Sequence, residues 1–334
     1  MLKLKYLFNN TDLAEMLLSN WEYDPKSLDL FQYYRISSNA VYPFQFESKT
    51  ELLRFAPASE KESEHLLAEL DFIGYLRANR YNALEPVISK KGTELVEAKT
   101  PWGAYYATVF KRVSGIPMND TDFSDSIVRR HGQALGKLHQ LSSRYESGKY
   151  KRWAYTDALQ WVQNTLATFP LEAAALAEVR LLQDYFSSIP VTSDNYGLIH
   201  YDFEYDNVFY DEENDSCHVI DFDDAMYHWY VMDIVQALDS LQDCIPAEQY
   251  EHKKRHFMDG YLTEYEISDD MQSIMPACKR FAALYGYARL VRSSAEQWEN
   301  EPEWLQQLRE RWAAGLQKDA LAFGTKLSFI PDPS

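Results

Sequence analysis

His200, Asp202, Asn207 and Asp221 are the residues whose types and spacing could do chemistry. The first three stand as His-x-Asp-x-x-x-x-Asn, and Asp221 opens an Asp-Phe pair further along. A carboxylate at 202 can orient and deprotonate a hydroxyl. An amide oxygen at 207 and a carboxylate at 221 are the hard donors that suit a small divalent cation. Between His200 and Asp224 the chain carries ten carboxylates and no Lys or Arg, threaded with Ile, Val, Phe and Tyr. A solvated loop would not need the apolar residues, and a buried core would not accept the carboxylates without partners. Something cationic belongs there.

Four residues spread over this stretch act together only if the chain folds them to one place. Residues 208–210 and 217–222 are apolar runs joined by Asp-Glu-Glu-Asn-Asp-Ser, which reads as a β-hairpin. Antiparallel pairing would bring Asn207 and Asp221 to the same end, with His200 and Asp202 just ahead of the first strand. Upstream, residues 11–20 read as a short helix. Residues 28–57 hold three apolar runs split by Ser-Ser-Asn and Glu-Ser-Lys-Thr, which predicts a three-stranded antiparallel meander. Apolar residues at 66, 67, 70, 73 and 76 predict a helix over 62–80, and strand-like segments follow at 83–98 and 102–115. Beyond Gly115 the patterns at 123–142, 157–168, 172–187, 233–243, 247–263, 270–295 and 303–322 are helical, interrupted only by strand-like pieces in 197–223. No repeat, low-complexity block or Gly/Ser linker occurs, so the junction near 112–116 reads as a hinge. The expected class is α+β: a small β-rich half with one helix, then a larger helical half with an inserted hairpin.

The spacing of His200, Asp202, Asn207 and Asp221-Phe222 resembles the protein-kinase catalytic loop and metal aspartate. More closely, "IHYDFEYDNVFYD", "HVIDFDDA" and "YVMDIVQAL" resemble the aminoglycoside phosphotransferase/choline kinase-like family. "IDFDDA" is most similar to its homoserine-kinase-like, stress-response and spore-coat kinase branch. "LGKLHQLS" at 135–142 and "SSNAVYPFQF…ELLRF" resemble the helix beneath the catalytic loop and the first strands. The resemblance implies a bilobal protein-kinase-like fold, with residues 1–112 as a nucleotide-binding N-lobe and 113–334 as a C-lobe. It implies ATP- and Mg²⁺-dependent transfer of the γ-phosphate to a hydroxyl of a small molecule. In that scheme Asp202 is the base, and His200 holds the catalytic turn. Asn207 and Asp221 bind Mg²⁺, Asp223 is a further ligand candidate, Asp224 caps the next helix, and Asp233 braces the loop. Ser37, Ser38 and Asn39 fall at the nucleotide loop, where small residues let backbone N–H groups approach phosphates. Arg54 takes the place of the usual phosphate-binding lysine, paired with Glu69, with Lys49 as the fallback contact. Residues 108–113 would form the hinge, with Phe110 and Val113 against the base. Tyr201 stands where the family usually has Gly, Glu204 at a basic or His-like position, and Tyr205-Asp206 where Pro-Gly is common. These departures touch substrate contacts and leave the base and metal positions in place.

Bulk composition bounds the partners. A formal net charge of −18 disfavours nucleic acid and favours cationic ligands. The expected acceptor is therefore an amine-bearing alcohol, such as an amino alcohol, aminoglycoside or amino acid. Tyr and Trp residues over 261–312 read as helix core, though rings facing the cleft beside Glu266 or Asp269 would suit an amine. His139 reads as packing. Three unpaired-looking cysteines fit a reducing compartment. Neither a signal peptide nor a membrane-spanning apolar run is evident, so the expected location is cytoplasmic, with no membrane partner. The pattern assigns no oligomeric state. Rival readings are a protein Ser/Thr kinase, a nucleotide-binding module without catalysis, and an iron site combining His200 and Asp202 with His252 or His256. The last requires a β-barrel, whereas residues 252 and 256 lie in a helical pattern.

Overall fold

Aromatic and aliphatic residues alternate along Ala40–Phe46 and Lys49–Pro57. The computed structural model, which describes residues 1–267 and 272–325, pairs them as antiparallel strands β2 and β3. With β1 (Arg35–Ile36), β4 (Glu85–Val87), β5 (Val96–Thr100) and β6 (Gly103–Lys111) they form one antiparallel sheet in the order β1-β2-β3-β6-β4, with β5 also on β6. Side chains alternate between faces. Tyr42, Phe44, Leu53 and Val109 therefore pack beneath α1 (Thr11–Leu18) with Leu13, Leu17, Trp21 and Phe31. Arg54, one residue on from Leu53, points to the opposite face, toward α2 (Ser63–Ala78).

One expected strand is not a strand. Within residues 28–36 only Arg35–Ile36 pairs, and Pro25–Tyr33 forms a 3₁₀ helix. Asp24 accepts a hydrogen bond from the Lys26 N–H and Pro25 fixes the first φ, a helix start that outweighs the aromatic run behind it.

From Lys111 the chain passes through Arg112–Gly115 to β7 (Ile116–Pro117), which pairs with β9 (Val208–Asp211). Gly115 has φ 87°, and a Cβ there would lie 2.2 Å from the Tyr210 carbonyl oxygen. Helices α3 (Asp125–Ser142), α4 (Tyr155–Leu166), α5 (Ala173–Ser187), α6 (Val231–Cys244), α7 (Tyr250–Tyr261), α8 (Met275–Ser294) and α9 (Glu303–Ala320) follow the helical patterns of the sequence; residues 270 and 271 lie outside the described set. β9 pairs with β10 (Ser216–Val219) as the expected hairpin, and β8 (Tyr196–Ile199) pairs with β11 (Met226–Trp229). The loop between β8 and β9 runs between two cores. Phe203 and Tyr205 sink into one with Leu70, Leu138 and Phe257, and Tyr201 into the other with Phe186, Trp229 and Phe281. Among the described residues no helix is long and apolar enough to cross a membrane.

Helices α3 and α7 touch backbone to backbone. A Cβ at Gly132 would meet the Phe257 carbonyl oxygen at 1.9 Å, and one at Gly260 the Arg129 carbonyl oxygen at 1.9 Å. Both obstacles are main chain, so the helices themselves would have to part. Gly260→Ala is expected to lower unfolding stability by on the order of 3 kcal/mol, whereas Gly286→Ala, whose added methyl meets nothing within 4 Å, should not destabilise. Denaturant melts of the two variants check this.

Candidate active site

The loop at 200–207 takes its shape from one buried carboxylate. Asp233, in the first turn of α6, is fully buried and accepts hydrogen bonds from the backbone N–H groups of His200 (2.9 Å) and Tyr201 (2.7 Å). His139 on α3 donates from Nε2 to the same carboxylate at 3.2 Å and accepts from the Tyr261 hydroxyl of α7 at Nδ1. His139 thus links three helices to the loop, where the sequence suggested packing alone. Burial lowers its pKa, which keeps the ring neutral in this role. Tyr201 sits at φ 66°, a left-handed backbone that costs a non-glycine residue about 1–2 kcal/mol. Its ring is buried near Tyr285 and Phe281.

His200 is also fully buried, and burial lowers its pKa. Its Nε2–H donates to the Ile220 carbonyl at 2.8 Å, while Nδ1 accepts the Asp202 N–H at 3.2 Å. Both ring nitrogens are engaged in tying the loop to the end of the hairpin. Asn207 donates from Nδ2 to the carboxylate (2.9 Å) and the backbone oxygen (3.0 Å) of Asp202. That orientation leaves the amide Oδ1 available as a ligand. Across the hairpin, the Ile220 N–H donates to the Asn207 carbonyl at 3.0 Å, which brings Asp221 to the same end.

Each carboxylate beyond this point meets a different environment. Asp223 pairs with Lys61 at 2.5 Å, and Asp224 pairs with Arg289 at 2.6 Å. Arg54 and Glu69 form a buried bidentate pair at 2.7 and 2.8 Å, and Arg54 also faces Asp221 and Asp223. Asp221 has no hydrogen bond or ion pair among the described residues, and its backbone is left-handed at φ 61°. Burial, and then the nearby Asp223, push its pKa up to about 6. Asp202 is raised well above the usual carboxylate range, by burial first and then by Asp224, Glu204 and Asp221. The pairings leave Asp202 and Asp221 without an ion pair among the described residues. A partly buried carboxylate without an ion pair, with a free amide oxygen at the same end of the hairpin, is a donor set that fits a divalent ion such as Mg²⁺.

The predicted nucleotide-side residues fall into two groups. Ser38 Oγ accepts from Arg289 at 3.1 Å, which places the Ser37–Asn39 turn beside the Asp224 pair. Ser37 is held by its carbonyl oxygen, which accepts the Leu2 N–H, and Asn39 is buried. Phe110 is buried with its ring centroid 4.8 Å from the Arg54 guanidinium. Val113 instead lines an open groove of about 1080 Å³ with Lys49, Arg112 and Glu212, bordered by none of Asp202, Asn207 or Asp221. A second cavity, of about 370 Å³, adjoins the carboxylates. Lys61, Trp153, Trp161, Tyr285, Asp224 and Arg289 are among its walls. Sequence reasoning did not single out Lys61, Arg152 or Arg289. Arg152 donates to the carbonyl oxygens of Ala225, His65 and Asp223. Nothing local marks these three, because each partner on the 223–225 turn lies more than sixty residues away in the chain. The rival iron site does not form: His252 and His256 lie on α7 against Asp125, and both His200 nitrogens are occupied.

Comparison with known proteins follows the same lines. Residues 36–267 match the model of a phosphotransferase enzyme family (APH). An amicoumacin kinase from Bacillus subtilis (strain 168) is 24% identical over 281 residues, covering 79% of this chain and 80% of the relative. Among solved structures, an amicoumacin kinase in complex with AMP-PNP and Ca²⁺ superposes with TM-score 0.77 at 21% identity, over 97% of both chains. A microcompartment-associated aminopropanol kinase gives 0.64 at 19% identity, over 96% of this chain and all of the other. The fold is thus the bilobal α+β fold of these kinases.

The Asp221 environment sets a pH dependence. Its pKa is raised to about 6 from an ordinary 3.8, so the folded chain without metal holds a proton there more tightly than the unfolded chain does. This contribution to stability is complete below the ordinary value and is lost as pH rises through about 6. A divalent cation held by Asp221 would have to displace that proton, so its binding would strengthen with pH over the same window. Mg²⁺ added against EDTA should raise the melting temperature at about pH 7 and have little effect at about pH 5. Thermal unfolding across pH checks this.

Proposed function

The chain belongs to the phosphotransferase enzyme family, and from that premise we propose which of its residues carry the transfer. As a member it moves the γ-phosphate of ATP to a hydroxyl of a small molecule, with a divalent cation. We assign Asp202 to the acceptor: its carboxylate orients the hydroxyl and takes the proton as the oxygen attacks. A raised pKa makes it a stronger base than an ordinary aspartate. Asn207 fixes Asp202 from one side and offers Oδ1 to the metal, while Asp221 supplies the carboxylate. Bound there, Mg²⁺ would neutralise phosphate charge. The observation that carries this reading is Asp221, partly buried and without a hydrogen bond or ion pair among the described residues, at the end of the hairpin it shares with Asn207.

Arg54, held by Glu69, lies near Asp221 and Asp223 and is assigned to the nucleotide phosphates, together with the Ser37–Ser38–Asn39 turn. Lys61, standing on Asp223, keeps that carboxylate charged until a cation or phosphate rearranges the pair. Phe110 supports Arg54 from below. Residues 1–112 are the nucleotide lobe in this reading and 113–334 the catalytic and acceptor lobe, with Val113 at the joint. His200 shapes the turn and takes no proton from substrate.

The acceptor belongs in the cavity of about 370 Å³, because its Asp224 and Arg289 also face Asp202. Trp153, Trp161 and Glu62 line it beside the Lys61–Asp223 and Arg289–Asp224 pairs, and the rings with the Glu62 carboxylate support an ammonium-bearing alcohol. Glu266 is not among the residues that line this cavity, and Asp269 lies outside the described residues. Free Cys217, Cys244 and Cys278 fit a reducing, cytoplasmic setting.

Asp202→Asn should keep Mg²⁺–AMP-PNP affinity within about threefold while lowering turnover by roughly 10³-fold, since it deletes the base and spares the metal donors. Calorimetry together with coupled ADP release reads both, and undiminished turnover would remove Asp202 from the chemistry. Across a panel of small alcohols, amine-bearing members should exceed their deaminated counterparts in kcat/KM by about tenfold or more. Equal values would refute the ammonium contact and leave the phosphotransfer assignment standing.

A further inference from the structure

Away from the cleft, three side chains from two helices converge on one point. Asp125 opens α3, and His252 and His256 lie one turn apart on the same face of α7. His252 Nε2 is 3.0 Å from Asp125 Oδ2 and 3.1 Å from Oδ1, and His256 Nε2 is 3.2 Å from Oδ2. One ligand atom from each residue lies within 4.8 Å of the others. We propose that Asp125, His252 and His256 form a binding site for a borderline divalent transition ion, Zn²⁺ being the best fit, distinct from the active-site metal.

The geometry is close to what the ion requires. Bonds of about 2.0–2.1 Å at tetrahedral angles set neighbouring ligand atoms about 3.3–3.4 Å apart. The two Nε2–Oδ2 separations fall short of that by a few tenths of an ångström, a change that side-chain rotation supplies. Both imidazoles present Nε2 to the same oxygen, so one ion between them replaces the His252 hydrogen bonding and the His256 ion-pair contact with three coordinate bonds. His252, His256 and Asp125 are all partly exposed, which leaves an entry path and room for water as the fourth ligand. Two imidazoles and one carboxylate favour Zn²⁺, Ni²⁺ or Cu²⁺ over Mg²⁺, whereas the all-oxygen donors at Asn207 and Asp221 favour the reverse.

The supports are rigid. α3 and α7 cross in backbone contact at Gly132 and Gly260, so the ligands sit on elements that cannot slide apart. Lys253 donates to Asp125 Oδ1 at 2.7 Å. It fixes the carboxylate through the oxygen that the ion does not need, while its charge opposes the incoming cation. Because α3 and α7 also supply His139 and Tyr261 to Asp233, an ion here pins the outer end of the helix pair that braces the catalytic loop.

Calorimetric titration of the full chain with ZnCl₂ tests the site, with Mg²⁺ present to saturate the cleft. The expected result is one Zn²⁺ per chain in wild type and in Asp221→Asn. Affinity should fall by about tenfold or more in each of His252→Gln, His256→Gln and Asp125→Asn. Zn²⁺ should also raise the melting temperature of wild type and not that of the His252→Gln/His256→Gln pair. All three positions are on the surface, and circular dichroism verifies that the variants fold. Absence of Zn²⁺ binding to wild type would overturn the proposal. So would binding that survives the paired histidine variant, or binding that is lost in Asp221→Asn and kept in the histidine variants.

Discussion

Negative charge packed where water is scarce is the constraint from which the rest of this molecule follows. Asp202, Asp221, Asp223 and Asp224 share one end of a hairpin, and Glu69 stands behind them. Buried carboxylates repel one another and lose hydration, so each must be protonated, paired or bound to metal. Arg54, Lys61 and Arg289 neutralise Glu69, Asp223 and Asp224. Asp202 and Asp221 are left without an ion pair among the described residues, and the proposed mechanism gives one to the acceptor and the other to the metal.

Holding that arrangement still is a separate problem, and the answer lies one layer deeper. Asp233 collects two backbone N–H groups of the loop and an imidazole of α3, and Tyr261 of α7 completes the chain. A fully buried carboxyl group is tolerated there because its oxygens take part in three hydrogen bonds, two of them from backbone with no side-chain freedom to lose. The arrangement needs α3 and α7 to lie close together, and glycines at their crossing allow it. Tyr201 shows how strongly the loop is determined. Where glycine would adopt the left-handed turn freely, a tyrosine is forced into it, and its ring is buried between helices in compensation.

The part of the site carried by sequence-local elements was legible in advance. His200, Asp202 and Asn207 are close in the chain, and the β9–β10 hairpin that adds Asp221 is bounded by its own turn residues. The α2 periodicity likewise put Glu69 on a helix facing the strand of Arg54. Reading Leu28–Tyr34 as a strand failed because Asp24 and Pro25, just before it, start a helix that the aromatic pattern conceals. Lys61, Arg152 and Arg289 were invisible because a basic residue in a loop or on a helix looks the same whether it meets water or an aspartate far along the chain.

By itself the sequence determined the class of chemistry and the α+β order of elements, and it marked the residues proposed to carry that chemistry, since each rests on type, short spacing or periodicity. Tertiary structure alone decided which carboxylates form ion pairs, that His139 serves Asp233, and which aromatic rings border the cavity beside the carboxylates. Those outcomes depend on burial and on contacts between segments far apart in the chain. Free energies of charge change most steeply with burial and distance, and a one-dimensional string encodes neither.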